Sequence, residues 1–324
     1  MSDKAIRLSG IGGPEVMRLE DVEVPAPGAG QATVRHSAIG VNFIDTYYRS
    51  GRYPMPLPAG LGIEAAGVVE AVGEGVSHVR AGDRVVYFGG GQGAYATRRT
   101  MEARPLVKLP DQVRDEVAAA IWLKACTVEF LVERCAKVQA GDTVLVPAAA
   151  GGVGVLLCQW LADKGVTVIG TVGSDAKRAI AAAAGCHHVL AYHEVPAQVR
   201  ALTDGRGVDA VLDGVGRDTF TASLDALKRR GMMVSFGNAS GPVGAVDFAI
   251  LSTKGSLFAT RPTLFDYYAS AEDFELGASA VLRKLCDGVI APHIGQHFAL
   301  GDAVACHRAL EARETVGSTL LMPG

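Results

Sequence analysis

The sequence predicts an α/β protein in which a strand-rich region is followed by a doubly wound parallel six-stranded sheet. Between residues 142 and 260, six short apolar segments alternate with helical patterns. Parallel strands need crossover helices that cover both faces of the sheet, so this alternation is typical of the doubly wound architecture. Roughly the first 120 residues instead show alternating and β-branched segments separated by glycine and proline, which indicates a strand-dominated domain.

Two stretches interrupt the strand pattern of the first region. The strands predicted there are residues 4–8, 32–37, 64–72, 83–88 and 94–98. The first interruption, residues 40–54, crowds polar and aromatic side chains into a turn of helix and a loop, and the second, residues 60–67, is a glycine-spaced bend. Asn42, Tyr47 and Tyr53 can each donate a hydrogen bond to a carbonyl oxygen of a flat ligand. For either tyrosine alone, a place in the core or at a rim is an equally good explanation.

The second region follows a helix predicted over residues 115–138, which is the expected hinge between the domains. Its predicted strands are residues 142–146, 166–172, 188–191, 208–212, 232–236 and 256–260. The helices predicted between them are residues 155–162, 175–184, 196–203, 220–229 and 248–253. From residue 263 the chain is expected to return to the first domain, with helices at 270–287 and 302–312 and strands at 297–300 and 318–321.

A glycine turn joins the first of these strands to its helix. Ala149, Gly151 and Gly154 occupy its three turn positions, so the strict G-x-G-x-x-G pattern is not met at the first of them. Glycine lets the backbone approach a pyrophosphate closely, and the helix that follows directs free N–H groups at it. A tight turn without a ligand also explains the local string.

Glycine or small polar residues recur at the carboxyl ends of the other predicted strands, where a doubly wound sheet binds its ligand. This recurrence predicts a dinucleotide site. The predicted cofactor-binding residues of this region are Ala150, Gly151, Gly152, Val153, Gly173, Ser174, Lys177, Tyr192, Gly214, Val215, Phe236, Gly237 and Asn238.

The residues after the second strand favour NADPH over NADH. An acidic side chain about 20 residues past the glycine turn binds the ribose 2′-hydroxyl of NAD, whereas small or basic residues admit a 2′-phosphate. This chain has Gly173, Ser174 and Lys177 there. The Asp175 carboxylate opposes a phosphate if it turns inward, but not if it caps a helix and points elsewhere. Arg313 is a further candidate for a cofactor phosphate, although an exposed surface position is the more common place for an arginine.

Composition and charge disfavour several other classes of function. The net charge of −3 without a basic run argues against nucleic acid as the main partner. No segment has the pattern of a signal peptide or a membrane span, so a cytoplasmic protein is expected. The six cysteines include no C-x-x-C pair and are interpreted as reduced thiols. His293 and His297 are separated by Gly295 and follow a proline, so they are not expected on one helix face, and no metal site is predicted.

Six motifs spread over the chain are the basis of a family resemblance. They are residues 40–47, 60–67, 81–85, 148–154, 233–241 and 260–262. Together they resemble the NADPH:quinone oxidoreductase (zeta-crystallin-like) branch of the medium-chain dehydrogenase/reductase superfamily. The resemblance implies a GroES-like catalytic domain at 1–124 and 263–324, a Rossmann NADPH-binding domain at 125–262, and a homodimer formed through the edge strand at 256–260.

The resemblance also implies that no zinc is bound. Zinc-dependent alcohol dehydrogenases of the superfamily place a histidine where this chain has Ile63 and a cysteine near the position of Asn42. They also carry a structural zinc loop of four cysteines, whereas no cysteine precedes Cys126 in this sequence. Ligands for both metals are therefore missing. Pro147 departs from the branch, which usually has a polar residue there.

The resulting hypothesis is a zinc-independent, NADPH-dependent quinone oxidoreductase. Asn42, Tyr47 and Tyr53 are its predicted catalytic residues, beside which the quinone would stack, and Asn42 is also expected to contact the cofactor. The protein would supply orientation, hydrogen bonds and exclusion of water, while the cofactor carries the chemistry.

In this hypothesis the nicotinamide lies in a cleft between the domains, supported by Gly214, Val215 and Asn238. Two alternatives remain open. One is NADPH-dependent reduction of enals or enones on the same fold, with Tyr47 or Tyr53 as proton donor. The other is a non-catalytic NADPH-binding protein, either a redox sensor or a lens-type structural protein.

Overall fold

The computed structural model describes residues 2–324, which divide into two compact units. The first unit runs up to Leu123 and resumes with Pro292–Gly324, and the second is Lys124–Ala291. The first pass through unit one contains β1 (Asp3–Leu8), β2 (Met17–Val22), β3 (Gln31–Val41), α1 (Phe43–Arg49), β4 (Ala59–Gly60), β5 (Glu64–Val72), β6 (Arg84–Phe88), β7 (Arg98–Glu102) and β8 (Val107–Lys108). Helix α2 (Asp115–Glu129) carries the chain into the second unit and continues as a π-helical segment, Phe130–Cys135.

The second unit is a parallel sheet with its crossover helices. Its elements are β9 (Thr143–Val146), α3 (Gly152–Asp163), β10 (Thr167–Val172), α4 (Arg178–Ala183), β11 (His188–Ala191), α5 (Val195–Leu202), β12 (Val208–Asp213), α6 (Phe220–Ala226), β13 (Leu227–Ser235), α7 (Ala249–Thr253), β14 (Phe258–Thr260), α8 (Leu264–Tyr267) and α9 (Ala271–Cys286). The six strands lie in the order β11-β10-β9-β12-β13-β14, and every neighbouring pair is parallel. The order reverses between β9 and β12, which is the switch point where such sheets bind ligands.

The chain then completes the first unit with β15 (Ile294–Ala299), α10 (Ala303–Glu311) and β16 (Ser318–Met322). These strands extend a seven-stranded sheet of order β15-β16-β3-β5-β6-β8, in which β7 also pairs with β3. A smaller sheet has the order β2-β1-β4. The register of β3 against β5 places Ile39 opposite Ala65, so Gly40 at the end of β3 lies beside Glu64 at the start of β5.

Each unit has its own apolar core. The core of the first unit includes Ile6, Leu8, Val34, Ile39 and Tyr95, and all of these are at most 2% exposed. In the second unit the apolar strand residues interleave with the inner faces of the crossover helices, as the alternating pattern of strands and helices predicts. The residues that form this second core include Leu145, Ile169, Val199, Val211, Leu224 and Met233.

The predicted fold class is confirmed, and two local predictions are wrong. The strand predicted at 94–98 is instead β7, which starts at Arg98. Residues 94 and 95 donate their amides to the carbonyls of Gly62 and Leu61, so the glycine-spaced bend takes the hydrogen bonds that a strand would use. The helix predicted at 220–229 ends at Ala226, because β13 begins at the next residue.

The second unit is longer than the predicted nucleotide-binding domain. Residues 263–291, which the sequence assigned to the first domain, fall in the second unit. Polar contacts hold this segment there: Tyr268 Oη donates to Glu129 Oε2 at 2.8 Å, and Lys284 Nζ pairs with Asp163 Oδ2 at 2.5 Å.

Candidate active site

The glycine turn after β9 is a compact backbone surface. Gly151 caps α3, and Gly154 lies in the first turn of the helix. A Cβ on Gly154 would lie 2.2 Å from the carbonyl oxygen of Ala148 and 2.8 Å from the Cα of Ala149, so no side chain fits there. The first N–H groups of a helix have no partners within it. The start of α3 therefore directs unpaired amides and the positive end of the helix dipole out of this turn.

Ala149 replaces the first glycine of the turn because the neighbouring strand leaves room for its methyl group. Ala149 is fully buried, and its amide donates to Thr171 O at 2.9 Å. Gly170 lies opposite, where a Cβ would come within 2.7 Å of the Ala149 Cβ. The alanine at the first turn position and the glycine in β10 therefore compensate for each other.

A buried carboxylate shapes the loop after β12. Asp213 is fully buried, and its Oδ1 accepts from the amides of Val215 and Gly216 at 2.7 and 3.2 Å. Its Oδ2 accepts from the hydroxyls of Thr219 and Ser223 at 2.7 and 2.8 Å. Because both oxygens are saturated by donors, Asp213 fixes the Gly214–Gly216 turn and is not free to contact a ligand.

The loops after β12 and β13 contact each other through glycine. A Cβ on Gly237 would lie 2.2 Å from the carbonyl oxygen of Gly214, and a Cβ on Gly214 would lie 2.9 Å from the Phe236 ring. Asn238 is held beside them: in the amide orientation that satisfies both atoms, its Oδ1 accepts from Arg261 Nη2 at 3.0 Å and its Nδ2 donates to Gly237 O at 2.9 Å. Arg261, which the sequence did not single out, thus fixes the β13 loop.

The end of β10 is small and basic, as the sequence predicts for a 2′-phosphate site. Gly173 and Ser174 are exposed, and a Cβ on Gly173 would meet only the Tyr192 ring, at 3.7 Å. Lys177 ends a short 3₁₀ turn that begins at Asp175. The Asp175 carboxylate is 97% exposed and accepts from Arg178 Nε at 2.9 Å. Its charge is therefore paired with Arg178.

These surfaces fit a dinucleotide. Backbone that tolerates no Cβ lies at the carboxyl ends of β9, β12 and β13, and an N–H cluster, a hydroxyl and a lysine supply donors for phosphate oxygens. The structure thus brings together at one edge of the sheet all the predicted cofactor residues of this unit. Arg313 belongs to the first unit, just after α10, with a backbone φ of 61°.

Asn42 is held by a buried carboxylate in the first unit. Its Nδ2 donates to Glu64 Oε2 at 2.7 Å, and the other carboxylate oxygen of Glu64 accepts from the Leu123 amide at 2.6 Å. Glu64 is fully buried and Asn42 is 5% exposed. Gly40 makes the space, since a Cβ there would lie 2.3 Å from Glu64 Oε2. One N–H of the Asn42 side-chain amide is thus used, which leaves its second N–H for a ligand.

A chain of buried polar groups continues from Asn42 through the first unit. Asp45 Oδ2 accepts from the backbone N–H of Asn42 and from Tyr95 Oη, both at 2.9 Å. Tyr95 Oη lies 3.1 Å from His307 Nε2, and His307 Nδ1 lies 3.1 Å from Arg49 Nη1. Arginine can only donate, so Nδ1 accepts and Nε2 carries the proton of a neutral imidazole. Burial and the charge of Arg49 lower the pKa of His307 to about 3.

The two predicted tyrosines lie in one aromatic cluster. The rings of Tyr47 and Tyr53 meet edge to face with centroids 5.4 Å apart, and Phe43 lies 6.1 Å from Tyr47 on the same helix. The Arg52 guanidinium lies 4.8 Å from the Tyr47 ring centroid. Tyr47 is buried and Tyr53 is half-buried. The core reading of Tyr47 therefore holds for most of its surface, whereas Tyr53 lies at a rim.

Comparison with known proteins gives the family. Two family models match, the alcohol dehydrogenase GroES-like domain over residues 28–111 and the zinc-binding dehydrogenase over residues 152–281. A quinone oxidoreductase of Pseudomonas aeruginosa is 47% identical over 99% of both chains. The chain belongs to the quinone oxidoreductase branch of the medium-chain dehydrogenase/reductase superfamily. As a member of that branch it is an oxidoreductase.

Two further proteins are similar to this chain over nearly its full length. The crystal structure of Escherichia coli quinone oxidoreductase complexed with NADPH has a TM-score of 0.95 and 42% identity, covering 99% of this chain and 100% of that one. A 2-haloacrylate reductase of Burkholderia sp. is 41% identical over 96% of both chains.

Within residues 2–324, no group of three or more His, Cys, Asp or Glu side chains is arranged to hold a metal ion. Ile63, where zinc-dependent relatives are expected to place a histidine, is 2% exposed in the apolar core.

Among residues 2–324, no helix has the length and apolar character that crossing a membrane requires.

The polar residues behind Asn42 were not predicted from the sequence. Glu64, Tyr95, His307 and Arg49 come from four separate parts of the family fold, and only the structure brings them together. One local signal was available: Asp45 follows Asn42 by three residues, which is the spacing of a capping box at a helix start.

Proposed function

We propose that this oxidoreductase transfers reducing equivalents from NADPH to a quinone without using zinc. The observation that carries the proposal is the backbone cradle at the carboxyl ends of β9, β12 and β13, where Gly154, Gly214 and Gly237 admit no Cβ. Such a surface suits a pyrophosphate and a nicotinamide ring that must approach the backbone closely. The full-length similarity to a quinone oxidoreductase supports the acceptor class.

Each part of the cofactor has residues that are proposed to bind it. The amides at the start of α3 would bind the pyrophosphate, and Ser174 and Lys177 would bind the 2′-phosphate. Gly214, Val215 and Asn238 would support the nicotinamide, and Arg313 stays a candidate for a phosphate. Bound NADPH would supply the hydride equivalent for the acceptor.

Asn42, Tyr47 and Tyr53 would orient the quinone. The free N–H of the Asn42 amide can donate to a quinone oxygen, and the tyrosines offer flat apolar faces with a hydroxyl at the edge. An electron-poor quinone needs no Lewis acid, which agrees with the apolar Ile63 at the position of a zinc ligand. Residues 124 and 263 stay the proposed limits of the nucleotide-binding domain, although the second compact unit extends to Ala291.

An acceptor panel tests this function. Oxidation of NADPH and NADH is followed with a benzoquinone, a naphthoquinone and a neutral enone of similar size, before and after treatment with a chelator. We expect quinone turnover that prefers NADPH and is insensitive to the chelator. The absence of turnover with every quinone would overturn the quinone reading, and loss of activity on chelation would overturn zinc independence.

Reduction of activated alkenes is the second candidate, and Arg52 favours an anionic alkene. The Arg52 guanidinium is exposed over the Tyr47 ring, and none of the ion pairs in residues 2–324 involves it. A cation at this rim suits an acceptor that carries a carboxylate, and a relative is named as a 2-haloacrylate reductase. Adding 2-chloroacrylate to the panel distinguishes the two functions, since turnover there with no quinone turnover would favour alkene reduction.

Lys177→Ala tests the preference for NADPH. Loss of a charge-assisted bond to a phosphate is expected to weaken NADPH binding roughly tenfold or more and to leave NADH binding nearly unchanged. Lys164→Ala is the matched control, because Lys164 lies at the other end of α3 and pairs with Glu133. An equal loss of affinity for both nucleotides would remove the phosphate role.

We also propose a homodimer formed through β14. This strand is an edge of the parallel sheet, and Phe258 on it is 57% exposed. Phe248, in the segment before α7, is 79% exposed. Exposed aromatic side chains beside an open strand edge favour pairing with another chain. Light scattering is expected to give the mass of two chains.

A further inference from the structure

Two buried cysteines of the second unit lie in contact. Cys158 is on α3 and is fully buried, and Cys186 lies between α4 and β11 with 9% of its surface exposed. Their sulfur atoms are 3.1 Å apart, and 28 residues of sequence separate them. The quinone oxidoreductase function proposed above uses neither residue.

We propose that Cys158 and Cys186 form an oxidation site at which a hydroperoxide closes a disulfide between α3 and the segment that follows α4. A disulfide has an S–S bond of about 2.05 Å, so the sulfur atoms have to approach by about 1 Å from their present contact. The reduced structure therefore holds the two thiols close to the bonded arrangement.

Two glycines bring the cysteines together. A Cβ on Gly170 in β10 would lie 2.5 Å from Cys186 Sγ, so a larger residue there would displace the thiol. Gly185 has a φ of 99°, and a Cβ on it would lie 2.8 Å from the Ala162 Cβ on α3. Only glycine at these two positions lets the segment around Cys186 lie this close to α3.

The unequal burial of the two thiols sets the order of the chemistry. Cys186 is the less buried of the two, with 9% of its surface exposed and none of that of Cys158. Its thiol therefore attacks one oxygen of the hydroperoxide, so that the O–O bond breaks, an alcohol or water leaves, and a sulfenic acid remains. Contact with Cys186 and burial raise the pKa of the Cys158 thiol well above its usual value. Cys158 therefore enters as the thiol, attacks the Cys186 sulfur and releases water as the S–O bond breaks. Overall, two thiols lose two electrons to the O–O bond, and with hydrogen peroxide two waters form.

The disulfide would link α3, the helix that begins at the glycine turn, to the segment between α4 and β11. Cys158 is on the helix whose first turn is the predicted pyrophosphate site, and Gly170 beside Cys186 also packs on Ala149 of that turn. A bridge over this length of chain restricts the unfolded state. The oxidised protein is therefore expected to unfold roughly 5 to 10 °C higher than the reduced protein.

The test uses the reduced full-length protein and hydrogen peroxide in moderate excess. After quenching, free thiols are alkylated under denaturing conditions and the disulfide-linked peptides are mapped by mass spectrometry. We expect a linked pair that contains Cys158 and Cys186, the loss of those two thiols, and a rise in the unfolding temperature that dithiothreitol reverses. Cys186→Ser and Cys158→Ala should each abolish both the linked peptide and the rise.

Cys286→Ser is the matched control, because Cys286 is exposed and lies outside the pair. Its removal should leave the disulfide and the temperature shift unchanged. Full alkylation of Cys158 and Cys186 under conditions that oxidise Cys286 would overturn the proposal, and so would a Cys186 sulfinic acid formed without the linked peptide. Neither outcome depends on NADPH or an acceptor, so the quinone reductase proposal is tested separately.

Discussion

In the second unit the candidate site is lined by backbone, whereas in the first unit Asn42 is held by buried charged side chains. Around the glycine turn, the decisive contacts are between Gly154 and the main chain of Ala148 and Ala149. Around Asn42, they run from Glu64 on one side to Asp45 on the other. The two regions therefore respond to mutation in opposite ways.

The glycine turn is disrupted when atoms are added to it, whereas the hydrogen-bonded side chains around Asn42 are disrupted when one of them is removed. An extra methyl group in a glycine turn has to displace main-chain atoms, which the surrounding helix and strand resist. When one partner is removed from a series of buried hydrogen-bonded side chains, a donor or acceptor is left without a hydrogen bond. This lowers the free energy of unfolding by about 1 to 3 kcal/mol. The substitutions below test this contrast.

Gly154→Ala is expected to have the largest effect. The new Cβ would lie 2.2 Å from Ala148 O, a contact that only a shift of the backbone can relieve. We expect a loss of about 3 kcal/mol in the free energy of unfolding. The unfolding temperature of the cofactor-free protein should fall by roughly 6 to 12 °C. Binding of NADPH should also be lost, as measured by fluorescence titration.

Gly173→Ala is the control for this substitution, because it also adds a methyl group at a predicted cofactor residue. The new Cβ would meet only the Tyr192 ring at an ordinary 3.7 Å. Its effect on cofactor-free stability should stay within about 0.5 kcal/mol. Equal destabilisation by both substitutions would show that the close backbone contact at Gly154 is not what fixes the turn.

Glu64→Gln tests the polar chain without changing its size. Both oxygens of Glu64 accept hydrogen bonds, one from Asn42 Nδ2 and one from the Leu123 amide. A glutamine places an NH₂ group against one of these donors, so a cost of about 2 kcal/mol is expected. Because Asn42 loses its fixed orientation, the acceptor-dependent rate should fall about tenfold or more.

Glu70→Gln is the matched surface change, since Glu70 is exposed and pairs with Arg35 and Arg98. Exposed ion pairs contribute at most about 1 kcal/mol, so both stability and rate should change little. If Glu64→Gln has full activity, Glu64 does not orient Asn42 for the reaction.

The same contrast explains how much of the molecule could be predicted from the sequence. The parallel sheet and the residues predicted to bind the cofactor follow from local signals, because glycine or small residues recur at the ends of the predicted strands. Strand 64–72 was predicted at its observed limits. The strand predicted at 94–98 was wrong because those residues bond to a bend more than 30 positions earlier in the chain, which a local pattern does not reveal.

The support of Asn42 could not be predicted for a similar reason. Arg49 and His307 are 258 positions apart in the sequence, yet their side chains are in hydrogen-bond contact. A lone histidine in a helical pattern is compatible with either a surface or a core position. Only the fold shows that His307 is fully buried between Tyr95 and Arg49.

A further expected effect concerns pH and the buried histidines of the first unit. Burial lowers the pKa of His36 to about 4, and burial together with Arg49 lowers that of His307 to about 3. Both values lie below the unfolded value of about 6.5, so the unfolded chain binds more protons than the native chain as the pH falls below 6.5. Stability is therefore complete above pH 6.5 and decreases as the pH falls towards the native pKa values. Between pH 6.5 and 5, each histidine is expected to lower the free energy of unfolding by about 2 kcal/mol.

His307→Gln should remove about half of this acid sensitivity. Glutamine keeps an acceptor for Arg49 and a donor for Tyr95 but does not take up a proton in this range. Urea unfolding at pH 7 and pH 5 is therefore expected to show a loss smaller by about 2 kcal/mol than in the unsubstituted protein. His188→Gln, at an exposed position, controls for the change in charge of the unfolded chain. If His307→Gln leaves the stability difference between pH 7 and pH 5 unchanged, His307 accepts a proton within the folded protein. The donors and acceptors would then have to be reassigned along the series of hydrogen bonds that leads from Arg49 through His307 and Tyr95 to Asp45.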